Sequence, residues 1–500
     1  MNPIMPTSAQ TDVINQDSPS VCMRVYKWLI PTIVLASMAV GLAVSTFPLF
    51  SLGLIVAGLA AYMSQHFPAL PIYLLLLIGP FANFLRIQAV NMLDVPSALV
   101  TGCFDLLTVW IICGAILRKI IPRLLKMQSP MMGFQIGALD ISLCALIILA
   151  TVHIFTAGYL ELGLYSFKAT YVYILLLFAM RAERFDAHYI WSFVHVLLGS
   201  VLLLTVHGLY QVFILGQEAA IAFAQQLGFP ILYYHGIFKM PYLTGSNNTS
   251  AWLMALAAVL TLALLSKSRS KFKQMVYLMA FVLYSVGLIL TMARGGWLAY
   301  VAGFAFMIAM DRRRYRLAFA IGLLSFTALF VFPDLSKNIL TFTIKPRLDY
   351  DVDRMNIWRQ TISDIAQNPF GTGLGTQGWI SFRFANILGR TGEGDNWYLK
   401  TTAEVGLLAI ILIGLSWASF IMNCIQASRR TRNSFEQAIL LGVSAAFVGF
   451  SLTNLGSNGW DWFPVNAFFW LLMGWAMSIY DQKMQSERKM QISAPGSVAY

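Results

Sequence analysis

The feature that most constrains the fold of this chain is a succession of apolar runs, each close to the length of a membrane-spanning helix. A helix needs about 20 mostly apolar residues to cross the hydrocarbon core of a bilayer. Because some of these runs are short or border proline and glycine, the sequence predicts 12–14 transmembrane helices. The fourteen runs lie near residues 26–47, 49–65, 71–85, 97–117, 139–157, 168–180, 190–214, 250–266, 275–292, 295–310, 316–333, 403–424, 437–455 and 463–480.

Composition excludes the alternative of a water-soluble globular protein. Hydrophobic residues make up 58% of the chain and charged residues 11%, whereas a globular domain in water carries about 25% charged residues. One long polar segment, 334–402, interrupts the apolar runs late in the chain. We therefore predict an all-α integral membrane protein with about 12–14 transmembrane helices and one large loop outside the membrane.

The distribution of lysine and arginine predicts which way the chain crosses the membrane, because cytoplasmic connections are enriched in these residues. Both termini are predicted to be cytoplasmic and the long loop to face outward. Since the basic clusters explain most of the net charge of +12, we expect no nucleic-acid partner. The clusters fall at the N-terminus (Arg24, Lys27) and on alternate connections, at 118–126, 181–184, 267–273, 312–316, 429–432 and 483–489.

Three tryptophans mark the long outward loop as a functional segment. Loops longer than about 15 residues are usually functional or disordered, and Trp358, Trp379 and Trp397 make this one too aromatic for disorder. The predicted organisation is a cytoplasmic tail (1–25), a transmembrane region (26–333), the outward catalytic loop (334–402), C-terminal transmembrane helices (403–480) and a cytoplasmic tail (481–500).

An amphipathic helix is predicted inside the outward loop. Apolar residues from Val352 to Ile365 recur at spacings of three and four, and Asn368-Pro369 ends the pattern. Arg354 and Trp358 share one face of this helix.

A glycine run follows that helix, with Gly371, Gly373 and Gly375 in alternate positions. Glycine allows sharp turns and lets backbone N–H groups approach an anion. The alternative interpretation is an ordinary tight turn. Arg347 and Arg359, on the same loop, are further candidates for binding an anionic substrate.

Arg294 stands at the outward start of a predicted span, in Met292-Ala-Arg-Gly-Gly-Trp297. A cation there opposes both the helix dipole and the topology bias. One interpretation is an arginine that extends to the lipid headgroups. The other is a phosphate ligand, because a guanidinium and the free N–H groups of a helix start can bind one anion together, with two glycines allowing close approach.

Two carboxylates near the end of the loop are candidate general bases toward a hydroxyl. Asp395 precedes a helix predicted to continue into the span 403–424, so its alternative role is that of an N-cap. Glu404 follows Lys400 by one helical turn, so its alternative role is a local ion pair.

Two charged residues outside the loop also require an explanation. Asp105 lies within a predicted span, where charged groups are costly and usually functional, although Thr101 or Thr108 could satisfy it instead. Arg86 lies on an outward connection and is either a headgroup contact or a substrate ligand.

The order and sidedness of these motifs resemble the O-antigen ligase/polymerase superfamily, whose members are bacterial inner-membrane glycosyltransferases that act on undecaprenyl-diphosphate-linked glycans. The likeness covers about residues 290–410. The motifs that carry it are Arg294-Gly-Gly, Arg354-x-x-x-Trp358, Asn368-Pro-Phe-Gly-x-Gly-x-Gly375 and Asp395-Asn396-x-Tyr-Leu-x-x-x-x-Glu404-x-Gly-Leu-Leu.

The resemblance implies a periplasmic loop that caps a cavity open to lipid, and a transfer reaction that uses no metal and no cofactor. By position, Arg294 and Arg354 would hold the diphosphate, Asn396 would contact substrate, and Asp395 or Glu404 would be the base. Tryptophans of the loop could stack on sugar rings. The partners implied are an undecaprenyl-diphosphate-linked oligosaccharide, membrane lipid, a flippase and a chain-length regulator.

One departure from the family pattern favours a polysaccharide polymerase of O-antigen, capsule or exopolysaccharide synthesis. Ligases of the family typically have His-Asn where this chain has Asp395-Asn396. A ligase that transfers glycan to lipid A core or another acceptor is the first alternative. A flippase for lipid-linked glycans is the second, because many spans suit a transporter. Flippases, however, place charges along a mid-membrane cavity and keep their loops short.

Overall fold

The structure is a computed structural model that describes residues 62, 65–94, 96–122, 136–226, 232–234, 237–239, 243–310, 348–384 and 395–493. These ranges are almost entirely helical. The helices are α1 (Leu70–Ile78), α2 (Ala82–Leu93), α3 (Ser97–Ala115), α4 (Ala138–Thr156), α5 (Leu160–Thr170), α6 (Ile174–Glu183), α7 (Ala187–Tyr210), α8 (Gly216–Gln226), α9 (Asn247–Lys267), α10 (Lys271–Leu290), α11 (Arg294–Met310), α12 (Leu348–Gln367), α13 (Gly378–Arg383), α14 (Trp397–Val405), α15 (Leu407–Arg430), α16 (Ser434–Thr453) and α17 (Val465–Ser493).

The all-helical prediction is confirmed, with one small departure. Strand β1 (Leu232–Tyr234) pairs antiparallel with β2 (Ile237–Lys239) to form a hairpin. In the part of the chain that the structure describes, eight helical stretches are long and apolar enough to cross a membrane. They are Leu70–Leu93, Leu99–Ile120, Ala138–Thr156, Ala187–Leu215, Asn247–Lys267, Lys271–Leu290, Leu407–Arg430 and Ser434–Thr453.

Within the described residues, fewer spans are found than the 12–14 predicted for the whole chain. Helices α5 and α6 make a ninth span if they are counted together, with a bend of 46° between them. Helix α11 is apolar but shorter, and α17, which covers the predicted run 463–480, is not among the eight. The predicted runs 26–47 and 316–333, and most of 49–65, lie outside the described residues.

Helix α9 lies at the centre of the bundle and is almost entirely buried. It contacts α10, α11 and α16, and α16 contacts α11 in turn. Small residues permit this close packing, as is usual between membrane helices. A Cβ on Gly449 would lie 2.1 Å from the carbonyl oxygen of Ala299, and one on Gly442 would lie 2.9 Å from Cβ of Ala263.

Ion pairs join the helix ends that carry the basic clusters. They link the end of α3 to the end of α6, the end of α6 to the start of α4, and α17 to α6, α15 and α16. These ends therefore gather at one end of the bundle, as the alternation of the basic clusters predicts. The pairs are Arg118–Glu183 (2.7 Å), Arg181–Asp140, Arg181–Asp481 (2.9 Å), Arg430–Glu487 (2.6 Å) and Lys483–Glu436 (2.8 Å).

The predicted amphipathic helix of the outward loop is confirmed as α12 (Leu348–Gln367), which ends directly before Asn368-Pro369. The prediction that one helix continues from Asp395 into the next span is wrong. Helix α14 stops at Val405, and Gly406 has a φ of +97°, so the chain turns before α15 begins. A positive φ cannot belong to a right-handed helix, and glycine adopts it without a steric penalty.

Candidate active site

A cavity of about 580 Å³ opens at the end of the bundle opposite the ion pairs. Helix α3 runs from the cavity toward the ion pairs. Asp105, in its first half, lines the cavity, and Arg118, just beyond its end, belongs to the ion pairs. The rest of the wall comes from the turn between α1 and α2, from α5, from the start of α9, from Trp379 and from 461–464.

One side of the cavity is charged. Lys168 Nζ on α5 donates to Asp105 Oδ2 at 2.5 Å, and the two side chains are 39% and 30% exposed. Asp105 is thus paired with a lysine, and Thr108 Oγ1 donates to the carbonyl oxygen of Phe104 at 3.2 Å. Arg86 also lines the cavity and donates to Asn83 Oδ1, while Asn83 Nδ2 donates to the carbonyl oxygen of Thr244 at 3.1 Å.

The cavity also has an aromatic wall next to the charged one, with Lys168 Nζ 6.0 Å from the ring centroid of Tyr165. The ring centroids of Trp379 and Trp462 are 5.5 Å apart, and that of Tyr165 lies 6.0 Å from that of Trp379. Trp462 is 40% exposed. Trp379 Nε1 is buried and has no hydrogen-bond partner among the described residues.

The glycine run forms a turn that encloses a carboxylate of the protein itself. Gly371, Gly373 and Gly375 have φ values of +91°, +99° and +82°. The N–H groups of Gly375 and Gln377 donate to Glu404 Oε1 at 3.0 and 3.2 Å. The predicted anion-binding turn is therefore present, but in this structure its anion is Glu404 rather than a substrate.

Behind this turn lies a buried cluster of one cation and two carboxylates, Lys400, Glu404 and Asp461. Lys400 Nζ is 2.6 Å from Asp461 Oδ2 and 3.7 Å from Glu404 Oε2. The local Lys400–Glu404 pair predicted as one alternative is present. Burial raises the pKa of Glu404 to about 7, although Lys400 acts in the opposite direction.

Asp461 completes this cluster from the connection between α16 and α17. Its Oδ1 accepts hydrogen bonds from Thr170 Oγ1 at 2.7 Å and from Trp397 Nε1 at 3.1 Å. Each carboxylate oxygen thus has a donor, which is the usual condition for a buried charge. Asp461 and its neighbour Trp462 were not predicted as site residues. The polar string Ser457-Asn-Gly-Trp-Asp-Trp462 between two apolar runs was the available signal.

Asp395 is not the N-cap of α14. Asn396 takes that position, and its Oδ1 accepts from the N–H groups of Tyr398 and Leu399 at 3.0 and 3.1 Å. Asp395 instead accepts a hydrogen bond from Arg354 Nη2 at 3.1 Å. The Asp395 side chain is 47% exposed and that of Arg354 is 28% exposed, so both side chains are accessible to solvent.

The start of α11, where Arg294 lies, and the side chain of Arg354 are both near the same end of α16. Arg294 is exposed at the first residue of α11, and a Cβ on the adjoining Gly295 would lie 3.9 Å from Thr453 Cβ. A Cβ on Gly456 would lie 3.5 Å from Arg354 Nη1. The second glycine of the motif serves packing, since a Cβ on Gly296 would lie 2.4 Å from Ala251 Cβ.

The remaining predicted residues are divided between surface and core. Trp358 is half-buried and Arg359 is exposed, both on α12. Trp397 is buried in an aromatic cluster with Trp417 and Trp460, so it does not face a substrate. Arg347 lies outside the described residues.

Comparison with known proteins finds a family likeness for part of this site. Residues 279–414 match the family model described as O-antigen ligase. No curated protein matches the chain. The matched stretch holds Arg294, Arg354, the glycine turn and Glu404, whereas the charged side of the cavity lies outside it. The chain is therefore a multi-pass membrane protein whose residues 279–414 are similar to the O-antigen ligase family, the members of which transfer glycans.

Proposed function

We propose that this protein is a polysaccharide polymerase that transfers undecaprenyl-diphosphate-linked glycan onto a sugar hydroxyl. The observation that carries the proposal is the cavity, which combines cationic and aromatic walls at one end of a membrane bundle. The O-antigen ligase domain contributes Trp379 to that cavity and supplies the two arginines at the end of α16.

The reaction needs cations where the leaving group departs. The acceptor oxygen attacks the anomeric carbon, the bond from that carbon to the diphosphate oxygen breaks, and undecaprenyl diphosphate leaves with the bonding electrons. Preorganised guanidinium groups stabilise the charge that develops on the diphosphate. Arg294 and Arg354 are assigned this role because both lie near the same end of α16, and Arg86 is assigned a contact with the substrate within the cavity.

The hydroxyl proton passes to a base, and Asp395 is the better of the two candidates. Its carboxylate is 47% exposed next to Arg354. The Glu404 carboxylate is 2% exposed and is already held by Lys400 and two backbone N–H groups. We therefore assign Glu404 a structural role and Asp395 the catalytic one.

An aspartate in the position where ligases of the family typically have histidine supports polymerase over ligase. The proposed setting is the bacterial inner membrane, with both termini in the cytoplasm and the cavity facing the periplasm. A flippase that delivers the lipid-linked repeat unit and a chain-length regulator are the partners that this reaction would require.

Purified protein in lipid vesicles, supplied with lipid-linked repeat units, tests the proposal. A ladder of lipid-linked polymers is expected from the wild type. Arg354→Ala should abolish the ladder, and Arg354→Lys should restore little, because lysine lacks the bidentate fork. Arg429→Ala, an exposed arginine at the opposite end of the bundle, is the control of matched charge. Transfer of single units to lipid A core without a ladder would identify a ligase instead.

A further inference from the structure

We propose that Tyr165, Trp379 and Trp462 form a carbohydrate subsite that binds a pyranose ring of the glycan. This inference rests on the proposed function and specifies where the sugar, rather than the diphosphate, is bound. Two of the three residues, Tyr165 and Trp462, lie outside both the outward loop and the matched domain.

The three rings are neighbours on the cavity wall, with Trp379 tilted by 34° to Trp462 and Tyr165 edge-on to Trp379 at 77°. Trp379 is the middle ring, with centroids of Trp462 and Tyr165 at 5.5 and 6.0 Å from its own. Trp462 is 40% exposed although it is a large apolar side chain. Flat aromatic surfaces stack on the C–H face of a pyranose, which has one apolar face and polar edges.

The polar groups of the cavity suit the edges of such a ring. Trp379 Nε1 is a buried donor with no partner among the described residues. Lys168 and Asp105 also line the cavity and supply charged donors and acceptors that are partly exposed. A mostly apolar pocket with a few directed polar groups is the usual form of a small-ligand site.

The buried lysine of the cluster behind the glycine turn positions both tryptophans. Lys400 Nζ holds Asp461, the residue directly before Trp462, at 2.6 Å. The lysine side chain also packs on Gly378, the residue directly before Trp379, where a Cβ would lie 3.0 Å from Lys400 Cδ. One rigid, fully buried group therefore fixes the backbone that carries each ring.

Binding of free sugars by the full-length protein in detergent separates this subsite from catalysis. The probe is an array of oligosaccharides of hexoses, N-acetylhexosamines, deoxyhexoses and hexuronic acids. The variants are Trp379→Ala, Trp462→Ala, Trp462→Leu, which keeps an apolar side chain without the flat face, and Trp462→Phe, which keeps a ring. Trp191→Ala is the matched control, since Trp191 is 39% exposed and lies in a different surface cavity beside Lys273.

The wild type and Trp191→Ala should bind the same oligosaccharide. Trp379→Ala, Trp462→Ala and Trp462→Leu should bind it about tenfold more weakly, and Trp462→Phe should recover most of the loss. No binding by the wild type, or equal binding by all variants, would overturn the subsite. Polymer made by wild type and Trp462→Leu at equal rates would also overturn it while leaving the proposed function intact. Sugar binding through the tryptophans without any polymer would refute the function and keep the subsite.

Discussion

At the scale of single residues, the buried charged side chains of the site depend on one another for stability. Lys400, Glu404 and Asp461 form a buried cluster of one basic and two acidic side chains. Breaking a buried pair by removing one member costs about 3–5 kcal/mol, because an uncompensated charge remains. The same cluster tolerates loss of Glu404 better, since Lys400 and Asp461 then form a neutral pair.

Glu404→Gln should therefore fold, whereas Lys400→Met should not. The pKa of Glu404, about 7, lies above the ordinary 4.5, so the folded protein holds this proton more tightly than the unfolded chain does. The bound proton therefore adds up to about 3 kcal/mol to the free energy of unfolding. This contribution is fully present below pH 4.5 and is lost as the pH rises through 7. Thermal melting of the solubilised protein should show wild type losing stability over this window relative to Glu404→Gln. Parallel curves for the two proteins would contradict the assignment.

Asp395→Asn distinguishes a base from a partner that only orients Arg354. Because Asn396 is the cap of α14, the variant should fold normally. A general base contributes about 10²–10⁴-fold to a rate, so polymerisation should fall by at least about a hundredfold. The KM for the lipid-linked donor should stay close to that of the wild type. A variant that keeps the wild-type rate at saturating donor and loses only affinity for the donor would show that Asp395 acts through Arg354.

At the scale of elements, the glycine turn between α12 and α13 depends on backbone conformation. The three glycines of the turn have positive φ. A Cβ on Gly373 would lie 2.4 Å from Cα of Ala157 at the end of α4. The turn also joins α14, since Gly373 N–H donates to the carbonyl oxygen of Glu404 at 2.9 Å. It is thus the point where the long polar loop (334–402) contacts the transmembrane bundle.

Gly373→Ala should destabilise the protein by at least about 2 kcal/mol, because it combines an unfavourable φ with a backbone clash. Gly414→Ala on α15 is the control, since no atom lies within 4 Å of its added Cβ and alanine favours helix over glycine by about 1 kcal/mol. Melting temperatures in detergent would give the comparison. Equal melting of the Gly373→Ala variant and wild type would mean that the turn does not hold the loop.

At the scale of the whole molecule, the bundle has two chemically different ends. One end carries ion pairs from the basic connections, and the other carries the cavity and the glycine turn. Lysine and arginine favour the cytoplasmic side, so the cavity is predicted to face outward. A donor delivered by a flippase would reach it only from that side.

Cysteine labelling would test this orientation in a variant whose five native cysteines are replaced by serine. Ala366→Cys, exposed near the end of α12, should react with a membrane-impermeant maleimide in intact spheroplasts. Ser270→Cys, exposed before α10, should react only after the membrane is opened. These two small residues give matched changes at opposite ends. The reverse pattern would place the cavity in the cytoplasm and exclude the proposed reaction.

Local patterns in the sequence determined the helices, because hydrophobic periodicity acts over a few residues. Runs of apolar residues predicted most of the described spans, and the spacing of apolar residues from Val352 to Ile365 predicted α12. The order of motifs was sufficient to indicate the family that residues 279–414 match. The break at Gly406 was missed, since apolar pattern alone does not reveal a positive φ.

Only the tertiary structure decided which charges meet, because such contacts join residues far apart in the chain. Lys168 pairs with Asp105 and Arg354 with Asp395, while Lys400 reaches Asp461 from another connection. No local spacing encodes these pairs. The buried Lys400–Asp461 pair forms because an enclosed charge must find an opposite charge or hydrogen-bond donors. For all three pairs, the packing of the helices determines which groups lie within reach.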